Sequence, residues 1–193
     1  RRGRGRRYIL HMTAAPTPLT PTAGAAPARV VGIGASAGGL EALAQFLGQV
    51  PPGCRLAFIV VQHLDPTQKA MLAQLLQRAT AMPVSEVAEG TRIEAGHVYV
   101  IPPNSALSVS GATLHLAAPG QPRGLRLPVD VLFESLAREC QEQAIGVVLS
   151  GMGSDGTAGL RAIKTKGGLT LAQDPDSAQF DSMPRSAIEA GCV

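Results

Sequence analysis

Three runs of continuous apolar residues constrain this chain more than any other feature: residues 29–34 (RVVGIG), 56–61 (LAFIVV) and 144–149 (AIGVVL). Each has the length of a strand and is rich in β-branched side chains. None alternates apolar and polar residues as a sheet with one wet face would. A strand that is apolar on both sides must be covered on both sides, and that is the condition of a parallel sheet. The intervening segments read as helices. Residues 39–47 have helical spacing, and residues 66–80 repeat Met71, Leu72, Leu75 and Leu76. Residues 128–143 put Val129, Leu132, Phe133, Leu136 and Ala137 on one face. Residues 157–166 form a further helix ended by Gly167-Gly168, residues 169–172 a strand, and residues 184–190 a last helix. A short strand is expected at 83–87. Residues 97–101, 107–109 and 114–116 predict a small antiparallel insertion with Gly111 at its turn. The expected fold is α/β: a doubly wound, mostly parallel sheet with helices on both faces and that insertion.

Composition narrows the class. A length of 193 residues suits one domain, and 45% hydrophobic residues suffice for its core. Aromatics are 3% and Trp is absent, so Val, Leu, Ile and Ala fill the interior. No apolar run approaches the roughly 20 residues of a membrane-spanning helix, so no membrane insertion is expected. Cys54, Cys140 and Cys192 are far apart and form no C-x-x-C pair, which argues for a reducing compartment and a cytoplasmic location. The formal charge is +3, but Arg1, Arg2, Arg4, Arg6, Arg7 and Arg29 more than account for it, leaving the body net acidic. Nucleic-acid binding by that body has little support. Residues 1–28, an Arg/Gly run followed by Thr, Pro and Ala, read as a disordered tail, and residues 29–193 as the folded domain. The tail is not expected to be a signal peptide, because its apolar stretch is short and broken by prolines. Met12 is either a true start or a junction.

Ligands of open parallel sheets bind beyond the carboxyl ends of the strands. Here the first run leads into Gly34-Ala35-Ser36-Ala37-Gly38, the second into Gln62-His63-Leu64-Asp65-Pro66, and the third into Gly151-Met152-Gly153-Ser154-Asp155-Gly156. A hydroxyl, an imidazole and a carboxylate thus reach one edge of one sheet. The first segment matches G-x-S-x-G between strand and helix, where small neighbours let the chain turn sharply. The helix N-terminus adds free N–H groups suited to a developing oxyanion. A serine hydroxyl needs a base, which His63 supplies. That base needs a partner to fix its tautomer, which Asp155 supplies. The order Ser, His, Asp differs from that of α/β hydrolases.

Each residue also has an ordinary structural reading. Ser36 could cap the following helix, His63 could be a satisfied strand-end histidine, and Asp155 could be an N-cap or first-turn acid. Their coincidence after three parallel strands favours the catalytic reading. His97 opens the insertion, His115 lies in an alternating strand and His11 lies in the tail, so these fit less well. The rival motif is dinucleotide binding, since residues 32–37 fit G-x-G-x-x-A and residues 151–156 fit G-x-G-x-x-G. Glycine is abundant here, and the acid such a site needs is poorly met by Asp65. A metal set of His63, Asp65, Asp174 and Asp176 lacks ligand spacing and ranks third. A pure interaction domain would have no need of all three groups.

The series GASAGGLEAL, VVQHLDP, HVYVIPPN, PVDVLFESLA, GVVLSGMGSDGTAGLRAIKTKGG and LAQDPDSAQFDSMPRSAI resembles the catalytic domain of the CheB family of chemotaxis protein-glutamate methylesterases, over residues 30–193. The resemblance implies a doubly wound parallel domain with Ser36 as nucleophile, His63 as base and Asp155 as orienting acid. It implies an oxyanion region at the backbone of Ala37, Met152 and Gly153, and a substrate-side role for Arg185. It also implies hydrolysis of glutamate methyl esters on a chemoreceptor, glutamine deamidation at the same site, and no metal or organic cofactor. There are departures. Family members often have threonine where Ala37 stands, and a typical member carries an N-terminal receiver domain where residues 1–28 lie. The family also usually continues beyond Val193. VVQHLDP and HVYVIPPN are more similar to CheB-type domains fused to a CheR-type methyltransferase, so one domain of a larger signalling protein is expected.

Overall fold

A computed structural model describes residues 24–62, 71–120 and 126–193. The chain runs β1 (Arg29–Ala35), α1 (Gly39–Gly48), β2 (Leu56–Gln62), α2 (Leu72–Gln77), β3 (Val84–Glu86), β4 (Thr91–Arg92) and β5 (Val98–Val100). It continues through β6 (Ala106–Ser110), β7 (Thr113–Ala117), α3 (Pro128–Cys140), β8 (Ala144–Val148), α4 (Thr157–Thr165), β9 (Leu169–Ala172) and α5 (Ser182–Glu189). The six-stranded sheet has the order β3-β5-β2-β1-β8-β9, and all its pairs are parallel. The chain moves outward from β1 to one edge and then returns to lay β8 against β1. The strand order therefore reverses between β1 and β8, and such a switch point opens a crevice at the carboxyl ends of the strands.

Side-chain alternation along β1 explains how the helices sit. Val31, Ile33 and Ala35 point to the face covered by Leu43 and Leu47 of α1 and Leu72 and Leu76 of α2. Gly32 and Gly34 point to the other face, under α3. A Cβ on Gly32 would lie 2.6 Å from Leu136 Cδ1, and one on Gly34 2.3 Å from Val129 Cγ1. Gly146 on β8 is overlain in the same way by Leu160 and Ile163 of α4. Absent side chains thus let α3 and α4 approach the sheet closely, and the fully buried Phe133 and Leu136 fill the space between. Burial of each such side chain contributes about 1.5–3 kcal/mol.

One expectation is corrected. Residues 97–101 do not belong to the antiparallel insertion: β5 lies in the main sheet, parallel to both β2 and β3. Val98, Tyr99 and Val100 are all buried, so this is another strand covered on both faces, too short for periodicity to reveal it. The insertion is instead the hairpin β6–β7 with β4 at its edge, turning at Gly111 with φ 56°. The helix expected at 66–80 is described as Leu72–Gln77, and residues 63–70 lie outside the described residues. Residues 25 and 28, at the end of the expected tail, bond to the body through Ala95 N–H to Ala25 O and Ala28 N–H to Arg55 O.

Candidate active site at the strand switch point

Ser36 follows the last residue of the central strand β1. Its N–H donates to Ser150 O at 3.0 Å, and its carbonyl accepts from Gly39 N–H at 2.9 Å. The turn then passes through Gly38, whose φ of 68° is a left-handed conformation that glycine adopts without a Cβ clash. Gly38 is also the N-cap of α1 and offers no side chain to it. Ser36 therefore does not cap this helix, and its half-buried side chain lines a cleft of ≈ 470 Å³ with Leu40, Ala44, Leu75, Gln62 and Gln179. Gly151 approaches so closely that a Cβ on it would lie 2.9 Å from Ser36 Cβ and would overlap Met183 Sδ. The segments after β1 and β8 are thus packed backbone to backbone.

Two residues without an assigned role in the sequence hold this turn. Ser150 Oγ donates to Ala37 O at 2.9 Å and accepts from Phe180 N–H at 3.0 Å, while Ser150 N–H donates to Gln173 Oε1. Gln62 Nε2 reaches Ser36 O at 3.5 Å, and its buried Oε1 has no partner among the described residues. Nothing in the spacing marks Ser150, because a buried serine at a strand end carries no pattern. The N–H groups of Ala37, Met152 and Gly153 bond to no acceptor among the described residues. Gly153, at φ 86°, makes the reversal there.

Asp155 is 9% exposed. It precedes α4, but its carboxylate serves the neighbouring helix: Oδ2 accepts Val129 N–H at 3.1 Å and Oδ1 accepts Asp130 N–H at 3.0 Å, both in the first turn of α3. Gly156 is the N-cap of α4, so Asp155 is neither the N-cap nor a first-turn acid of its own helix, and the helix it caps is distant in sequence. Burial pushes the Asp155 carboxyl up to about 6, against the N–H bonds of Asp130 and Val129, which lower it, and with the nearby Asp130 charge, which raises it further. Asp130, quoted within PVDVLF but given no role, is the residue that sequence reasoning missed. Its Oδ1 accepts Gly159 N–H at 2.7 Å.

His63 and Asp65 lie outside the described residues. His97 stacks on Tyr99 with ring centroids 4.5 Å apart and shares a 2.9 Å hydrogen bond with Ser85. His115 pairs with Glu89 at 2.8 Å. Both are occupied in these pairings. Arg185 lies in α5, where its guanidinium pairs with Asp181 at 2.6 Å. Asp174 accepts Asp176 N–H in a local cap. The dinucleotide reading loses its footing because Gly32 and Gly34 are spent on the approach of α3, leaving no room there for a pyrophosphate.

The model of the CheB methylesterase family matches residues 31–193. A Pseudomonas aeruginosa protein named protein-glutamate methylesterase/protein-glutamine glutaminase 2 is 39% identical over 97% of this chain and 55% of its own length. A Leptospira interrogans protein with the putative form of that name is 36% identical over 83% of this chain and 84% of its own. The crystal structure of the Thermotoga maritima CheB methylesterase catalytic domain superposes with a TM-score of 0.76 at 29% identity, covering 86% of this chain and 89% of that one. The chain spans about half the length of most of the curated relatives it matches.

Proposed function

The chain belongs to the CheB methylesterase family, and from that premise we propose that it hydrolyses methyl esters of glutamate side chains on a methylated chemoreceptor, and deamidates glutamine side chains at the same site. The observation that carries this reading is the junction at the switch point. Ser36, beyond β1, is bonded through its backbone to Ser150, beyond β8, and the Asp155 carboxylate is held a few residues further along that segment. Ser36 Oγ attacks the γ-carbonyl while His63 takes its proton. N–H groups from Ala37, Met152 and Gly153 receive the oxyanion. The imidazolium, oriented by Asp155, returns the proton to the departing methanol, or to ammonia from a glutamine. Water, deprotonated by the same imidazole, then cleaves the acyl-enzyme and leaves glutamate. Every step balances with water as the co-reactant.

The apolar cleft wall of Leu40, Ala44 and Leu75 suits the methylene stem of a glutamyl side chain. Residues 29–193 constitute the catalytic unit. Among the described residues no helix is long and apolar enough to cross a membrane. The proposed place of action is the cytoplasmic face of a receptor. The similarity of VVQHLDP and HVYVIPPN to CheR-linked domains supports a place in a larger signalling protein. The test is methanol release from a methylated receptor fragment by wild type and Ser36→Ala. The substitution is expected to remove activity by about five orders of magnitude. Retained activity would refute the nucleophile.

A further inference from the structure

We propose that Asp130 is a positioning residue for this reaction: locked to Asp155 by reciprocal helix capping, it places a second carboxylate behind the acid that orients His63. The proposal rests on the Ser36, His63 and Asp155 reading.

The geometry is an exchange. Asp155, which precedes α4, accepts the N–H groups of Val129 and Asp130 in the first turn of α3. Asp130, in that first turn, accepts Gly159 N–H in the first turn of α4. Each acid thus caps the helix that the other borders. Capping alone requires an oxygen and no charge, and Ser, Thr or Asn serve as well as Asp. Two buried carboxylates side by side repel each other, so caps alone do not account for the pair. Asp130 is 7% and Asp155 9% exposed. The charged side chains on the packed elements point outward: Glu134, Arg138 and Glu139 on α3, Arg161 and Lys164 on α4, and Arg185 and Glu189 on α5 are all exposed. Arg29, at the far end of β1, bonds Glu142 O, β2, β6 and β8 carry no charged residue, and Arg126 is half-buried two residues before α3. Burial holds both carboxyls above their ordinary values. On the reading of Asp155 as the acid that orients His63, the negative potential this creates stabilises the imidazolium formed in the reaction.

Asp130→Asn keeps an acceptor for Gly159 N–H and removes the charge. The readout is the rate of Ser36 phosphonylation by a fluorophosphonate, followed by intact mass across the acid range, with Asp155→Asn in parallel. Loss of the Asp130 charge lowers the proton affinity of both Asp155 and His63. The acid limb is therefore expected to move to lower pH by on the order of one unit, and the plateau rate to fall about tenfold. An unmoved limb, with Asp155→Asn strongly impaired, overturns the proposal alone and leaves Asp130 a simple cap. Wild-type rates in Asp155→Asn overturn the triad reading and this proposal with it. Should Asp130→Asn not fold, carboxyl carbon shifts in the wild-type chain decide. Two coupled steps shared by Asp130 and Asp155 are expected, and two independent single-step curves would overturn it.

Discussion

The turn after β1 and the loop after β8 follow neighbouring parallel strands and end alike. Each reaches its helix through a glycine of positive φ, Gly38 at 68° and Gly156 at 95°. They differ in what they fasten. The first holds Ser36 by its backbone, through Ser150 O and Gly39 N–H, and leaves the hydroxyl at a cleft. The second holds Asp155 by its side chain, through two N–H groups of α3. On the proposed assignment the difference is functional: a nucleophile must be positioned without engaging the atom that reacts, whereas an orienting acid works better the more firmly its oxygens are held.

The largest effects are catalytic and distinguish the two segments directly. Ser36→Ala is expected to lower methanol release by about 10⁵-fold and Asp155→Asn by about 10⁴-fold. Similar small losses in both would mean that neither segment carries the chemistry. Next is the packing that brings the segments together. An added Cβ in Gly34→Ala runs into Val129, at the turn of α3 that binds Asp155. A loss of about 3 kcal/mol in urea unfolding is expected, and an unchanged midpoint would show that α3 can retreat freely.

A smaller effect comes from burying the acid. The Asp155 carboxyl lies at about 6 in the folded protein against an ordinary 3.8, so the folded state holds the proton more tightly. The stabilisation this proton contributes is full below the ordinary value and is lost as pH rises through the folded one. Relative to Asp155→Asn, wild type should lose about 2 kcal/mol of unfolding free energy between pH 4 and 7. A parallel pH dependence in the two proteins would contradict that burial. Smallest is Gly111→Ala in the β6–β7 turn, far from both segments. Its φ is 56° and nothing lies within 4 Å of the added Cβ, so about 1 kcal/mol is expected, with methanol release unchanged.

Much of this molecule was readable from its residues, because local chemistry decides it. Continuous apolar runs force strands to be covered on both faces, and that requirement alone yields the parallel sheet. Small residues around Ser36 and Asp155 mark sharp strand-to-helix turns without reference to the rest of the chain. The short strand β5 escaped that logic, since a run of three residues has no period and its partners lie on β2 and β3. Other features depended on contacts between residues far apart in the chain. Gly32 and Gly34 fit a dinucleotide-loop pattern in the sequence, and only the position of α3 above β1 shows them as packing glycines. Asp155 read as a cap for its own helix, yet it caps α3. Asp130 and Ser150 carry no sequence signal, because a hydrogen bond to a distant backbone amide exists only once the strand order has brought that amide within 3 Å.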